Sequence, residues 1–265
     1  MQLNQLTTRI RLRKTWEAFD LGLTMVQTWW RIIYFPWFIL VSSIALLCFI
    51  ILPQEYAWLA TLIVWWLKPL YDRFLLNIIS HQLFNEEKSM WQSLQDLPRL
   101  IKSTGLLSSL TGLRFSLSRG LNIPIWQLEQ LRGKSRRKRQ KLIHGDGHSA
   151  VILFMMTLLH FELILLIFFF LIILMFLPPE VTANIVDRIQ NNSFDFSIFI
   201  DQATLFFYAM VVFLLEPIYV TGTFALYLNR RTELEAWDIE LKFKQIAVRL
   251  DNQSQNTPSQ KGLSL

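Results

Sequence analysis

Residues 150–177 carry Thr157, His160 and Glu162 as their only polar side chains. A helix that long covers more than the ~30 Å hydrocarbon layer of a bilayer at about 1.5 Å per residue. A strand crossing lipid alternates between its two faces, so an unbroken apolar run excludes a β-barrel. Inside lipid a helix satisfies its own backbone, and this run therefore predicts a transmembrane helix. Three further runs share its character, at residues 32–52, 56–80 (reaching 84) and 202–228. The chain is 52% hydrophobic and 17% charged. Soluble domains carry about 25% charged residues, and here the deficit is concentrated in these four runs. The expected fold is an all-α polytopic membrane protein with four transmembrane helices. The first run begins too far in, and is too long, for a cleaved leader.

The connecting segments set the orientation. Residues 85–148 hold twelve Lys or Arg against five acids, an excess of +7. Residues 178–201 hold four acids against Arg188 alone, a net of −3. Basic loops stay in the cytoplasm, so both termini are expected inside. The organisation reads as a cytoplasmic tail with an interfacial amphipathic helix (1–31), a transmembrane hairpin (32–84) and a basic cytoplasmic loop with short helices (85–148). A second hairpin (149–228) and a cytoplasmic helix with a disordered tail (229–265) follow. Near the N-terminus Trp16, Phe19, Leu23, Val26 and Trp30 recur at helical spacing and predict one apolar face. In the loop, Leu94, Leu97, Leu100 and Ile101 predict a short helix, and residues 125–131 another. Residues 106–117 are too polar to span and are expected to pack against the bundle or lie at the interface.

Two charges interrupt the spans. The second contains Trp65-Trp66-Leu67-Lys68-Pro69-Leu70-Tyr71-Asp72-Arg73, and the fourth contains Leu214-Leu215-Glu216-Pro217-Ile218-Tyr219. Both fit the pattern charge-Pro-aliphatic-Tyr, with opposite charges. Lys68 lies about 18 Å and Glu216 about 21 Å from the outer ends of helices that run the same way. A lone charge at mid-bilayer costs about 2.5–3.5 kcal/mol on insertion scales, which favours a Lys68–Glu216 pair. Glu162 competes for the lysine, and Asp72 at i+4 offers a partner within the same helix. Pro69 and Pro217 each free a carbonyl one turn earlier and favour a kink. These six residues form the candidate site, as a structural clamp, as the lining of a polar cavity, or as part of an interface with a partner membrane protein. Matching kinked helices in two halves also mark some transport sites.

Other features carry less. Arg132, Lys134, Arg136, Arg137, Lys138, Arg139 and Lys141 make a basic patch. Beside a membrane helix, attraction to anionic lipid headgroups explains it more economically than nucleic acid. His144 and His148 flank Gly-Asp-Gly, which argues for a flexible lead-in rather than a helical metal site. His160 and Glu162, two residues apart, face different ways. Cys48 is the only cysteine, so no intrachain disulfide is possible. No phosphate-binding loop, zinc motif or catalytic triad is present, and no cofactor is expected.

Three stretches together resemble an uncharacterised family of bacterial inner-membrane proteins. They are Thr15-Trp16-Glu17-Ala18-Phe19-Asp20-Leu21-Gly22, the Trp65 to Arg73 motif, and Glu216-Pro217-Ile218-Tyr219 through Leu226-Tyr227-Leu228-Asn229-Arg230-Arg231-Thr232-Glu233-Leu234-Glu235-Ala236-Trp237-Asp238-Ile239-Glu240. That family occurs near transglutaminase-like membrane proteins and MoxR-type ATPases. The resemblance implies one membrane subunit of a multi-component envelope system, and it carries over no catalytic residue. A more distant likeness is to the membrane domains attached to some glycerophosphodiester phosphodiesterases. The expected function is a non-enzymatic subunit or scaffold with partner membrane proteins. The alternative is a small transporter or lipid-handling protein built on the intramembrane charges. A membrane-bound enzyme would need a cleft presenting polar groups from the basic loop.

Overall fold

The computed structural model describes residues 13–84, 89–103, 106–111, 114–145, 148–181, 187 and 194–235. Among these the regular structure is helical throughout, with no strand. α1 (Thr15–Thr28) and α2 (Trp30–Ile51) are separated by Trp29 alone, whose backbone leaves the helical region at φ −106°, ψ 21°. A single 3-10 turn, Gln54–Tyr56, reverses the chain after Pro53. The second predicted span then forms as two helices, α3 (Ala57–Trp66) and α4 (Lys68–Leu83), with Leu67 between them. Pro69 accounts for the break. It has no N–H to offer Trp65, and it sits in the first turn of α4, where a missing donor matters least.

The loop region contains α5 (Met90–Gln95), α6 (Leu97–Ser103), α7 (Leu106–Leu110), α8 (Arg119–Gln127) and α9 (Gly133–His144). α10 (His148–Phe176) and α11 (Phe194–Glu235) complete the chain. α2, α10 and residues Ser197–Glu235 of α11 are long and apolar enough to cross a membrane. Val151 is the only fully buried side chain of α10, and Phe161, Leu163 and Phe168 expose half or more of their surface. Such an apolar exterior suits lipid rather than water.

α11 is the organising element. A crossing uses about 20 residues, so its 42 residues reach far beyond one membrane face. α1 packs along that extension. Its buried face is Ala18, Phe19, Gly22, Met25 and Val26, which keeps Phe19 and Val26 of the face the spacing predicts and leaves out the rest. Trp16, Leu23 and Trp30 are 64%, 41% and 54% exposed. The reason is glycine. A Cβ on Gly22 would stand 2.6 Å from the Cα of Gly222, so the two backbones touch and turn the small residues inward. Phe19 stacks on Phe154 at 4.4 Å beside that crossing, and Asn229 holds the start of α1 through both backbone groups of Arg13, at 2.9 and 2.8 Å.

Two loop expectations change. The helix expected over 94–101 divides at Asp96, because Pro98 starts a new one. The helix expected over 125–131 begins six residues earlier, at Arg119, and ends at Gln127. Positive φ angles at Gln130 (53°) and Gly133 (59°) then turn the chain into α9. Tertiary contact explains the early start. Gly120 lies so close to Thr223 of α11 that a Cβ there would meet its side chain at 2.5 Å. The tail 1–12, most of the acidic loop 182–193, the helix expected to continue through Trp237 and Leu241, and the tail 251–265 lie outside the described residues.

Candidate functional site

The two prolines leave two backbone carbonyls without their helical donors, and each finds a side chain from elsewhere. Pro69 orphans the carbonyl of Trp65, and Arg114 donates to it from Nη2 at 2.7 Å. The same guanidinium lies 4.1 Å from the centre of the Trp65 ring. Pro217 orphans the carbonyl of Phe213, and the indole N–H of Trp37 donates to it at 3.1 Å. The Tyr34 hydroxyl donates to the next carbonyl, Leu214, at 3.1 Å. Replacement from neighbouring elements is what a lipid-embedded backbone requires. The matching motifs therefore diverge: Lys68-Pro69 divides a helix, whereas Glu216-Pro217 lies within the continuous α11. Trp37→Phe keeps the ring but leaves the Phe213 carbonyl without a donor. The expected loss is about 1–3 kcal/mol of stability, read as a lower melting temperature in detergent.

Between the prolines lies a buried ion network. Lys68 Nζ is 2.7 Å from Glu162 and 3.5 Å from Glu216. It thus bridges α10 and α11 instead of choosing one. Tyr208 donates to the other oxygen of Glu162 at 2.6 Å. Asp72 pairs with Arg119 of α8, whose Nε lies 2.6 Å from its carboxylate. The same guanidinium reaches Glu216 at 3.2 Å and lies 5.2 Å from the Tyr219 ring centre. The competition anticipated for Lys68 is resolved this way because Arg119 occupies Asp72, leaving two glutamates for the lysine. Arg73 donates to the Pro69 carbonyl at 2.7 Å and to Ser109 of α7 at 2.6 Å. Side chains of Lys68, Asp72, Arg119 and Glu216 are 1–7% exposed, and Glu162 is 14% exposed. Beside Asp72 a cavity of about 10 Å³, bordered by Gly120, Tyr219 and Thr223, has room for about one water.

Chemically this arrangement is a charge-compensated cluster. Three carboxylates face two cations at contact distance, with the Tyr208 hydroxyl satisfying part of the remainder. Arg114 and Arg119, expected only as charges of the basic loop, bind that loop to the bundle together with the Arg73–Ser109 contact. One signal for them was available. They are the two basic residues within a Ser-, Gly- and Leu-rich stretch that contains no acid.

A second network lies at the far end of α11. Arg139 makes two-pronged contact with Glu129 at 2.8 and 3.0 Å and also pairs with Glu235. Tyr227 donates to Glu129 at 2.7 Å, and Arg231 pairs with Glu235 at 3.0 Å. Burial works against the charge on Arg139, but these carboxylates hold its pKa above the ordinary arginine value. Arg136 lies over Trp126 at 4.2 Å. Two members of the basic patch are thus turned to the protein, while Arg132, Lys134, Arg137, Lys138 and Lys141 remain exposed.

α9 ends at His144 and α10 begins at His148, so the histidines flank a turn. Their rings stack at 4.8 Å. His144 meets Asn122 at 2.9 Å and His148 meets Ser118 at 3.0 Å, and no group of metal ligands occurs among the described residues. Burial first, and His148 second, lower the pKa of His144. The unfolded chain therefore takes up a proton at His144 more readily than the folded one. Stability from this group is complete above the ordinary histidine pKa of about 6.5 and is lost as pH falls from there through the lower pKa of the folded state. Melting temperatures from pH 8 to 5 are expected to fall less for His144→Gln than for the wild type.

Comparison of the chain with family models, curated proteins and solved structures found no match.

Proposed function

We propose that this chain is a non-enzymatic membrane subunit that holds a layer of helices against one face of the bilayer and offers it to partner proteins. On this reading it crosses a bacterial inner membrane four times, with α3 and the start of α4 as the second crossing and both termini in the cytoplasm. The observation that carries it is the commitment of every charge in the buried network to a partner within the chain. A transport site needs charges that exchange partners with a cargo, whereas Lys68, Asp72, Arg119, Glu162 and Glu216 already face one another at 2.6–3.5 Å. The small size of the cavity beside Asp72 weighs the same way. Arg114 and Arg119 connect loop to span, so the cytoplasmic layer is anchored rigidly, as a docking platform requires. The exposed lysines and arginines of α9 add attraction to anionic headgroups, at about 1 kcal/mol per charge near the surface.

Affinity purification of the tagged full chain in mild detergent tests this reading. A discrete set of co-purifying membrane or cytoplasmic proteins is expected, released when exposed residues of α9 are replaced. A chain that emerges alone in every preparation overturns it.

A further inference from the structure

We infer that the groove at the junction of α1 and α2 is a binding site for one anionic glycerophospholipid. The groove has a volume of about 600 Å³, within the range of small-molecule sites. Tyr34, Phe35 and Phe38 of α2, Phe213 of α11 and Ser93 of α5 line it. Among the described residues that line it, Arg31 is the one charged side chain. Arg31 is exposed, lies over the Trp30 ring at 5.2 Å and makes no ion pair among the described residues.

Position and chemistry agree on the occupant. α2 has 22 residues, about 33 Å, which matches the hydrocarbon thickness and sets Trp30 and Arg31 at its edge. Tryptophan and arginine at that depth meet headgroups, and guanidinium forks match phosphate oxygens. From Arg31 to Phe38 the groove descends about 10 Å into the layer where acyl chains run. Phe35 and Phe38 are 62% and 55% exposed along it. A cation at the headgroup level above an aromatic channel fits a ligand with a phosphate at one end and a hydrocarbon chain at the other. This site is separate from the α9 patch, which attracts headgroups without a groove, and it does not depend on the scaffold reading.

Native mass spectrometry of the delipidated full chain in detergent, titrated with phosphatidylglycerol or with phosphatidylcholine of the same acyl chains, tests it. One tight phosphatidylglycerol is expected on the wild type. Arg31→Gln is expected to weaken that binding about tenfold while leaving phosphatidylcholine unchanged, since one lost charge-assisted contact amounts to about that ratio. Arg31→Lys keeps most of the affinity. Replacing Lys134, Arg137, Lys138 and Lys141 by glutamine leaves the tight site in place. Wild-type affinity in Arg31→Gln, or loss of the tight site in the α9 variant alone, overturns the inference. So does a wild-type chain that binds both lipids equally, a result that does not depend on any variant folding.

Discussion

Arg119→Met is expected to cost about 3–5 kcal/mol of stability, the range found when one partner of a buried ion pair is removed. The substitution keeps most of the side-chain volume, so packing is not the main loss. Asp72 loses its paired cation and Glu216 one of its two, because the same guanidinium meets Asp72 at 2.6 Å and Glu216 at 3.2 Å. Lys68 cannot compensate both, since it already stands 2.7 Å from Glu162. Adding Asp72→Asn to Arg119→Met removes one of the stranded charges and is expected to restore part of the loss. Unfolding by denaturing detergent from mixed micelles measures four chains: the wild type, each single variant and the pair. A loss below about 1 kcal/mol for Arg119→Met, or strictly additive losses in the pair, means that the arginine is not the keystone of the network. The same variant should free the loop helices, and limited proteolysis between α7 and α9 reports that separately.

Gly22→Val is the second large effect. The new Cβ would lie 2.6 Å from Gly222 Cα and 2.8 Å from both Gly222 N and the Thr221 carbonyl oxygen. All three are backbone atoms of α11, so no side chain can swing aside to make room. α1 must move off as a body, and the Phe19–Phe154 stack at 4.4 Å goes with it. Overpacking of this kind costs about 1–3 kcal/mol when the site yields locally. Here the expected outcome is release of α1, seen as faster tryptic cleavage at Arg13 and Lys14. Cleavage at the wild-type rate shows that α1 tolerates the separation and that the glycine crossing does not hold it. Gly133→Ala is a useful contrast. Nothing lies within 4 Å of that position, and the cost there is confined to its φ of 59°.

Much of the architecture follows from local composition. Residues 150–177 must be a helix in lipid because no other conformation pairs their backbone groups. Pro69 and Pro217 must strand the carbonyls of Trp65 and Phe213, whatever the rest of the chain does. Lys68 and Glu216 demand compensation because lone charges are costly in hydrocarbon. These are consequences of chemistry within about one helical turn, and they are legible residue by residue. What answers each demand is not. Trp37 caps a carbonyl 176 positions later, and Arg119 meets Glu216 across 97. Such pairings depend on the rotation and depth of each helix, and the Gly22–Gly222 contact shows how those are set: by how closely two backbones approach, which no hydrophobic period encodes. That is why the α1 face came out rotated from its aromatic spacing, and why two loop arginines became the link between the layers. Local chemistry along the chain specifies which groups need partners. The tertiary structure decided who those partners are, because only packing brings distant donors to the same depth.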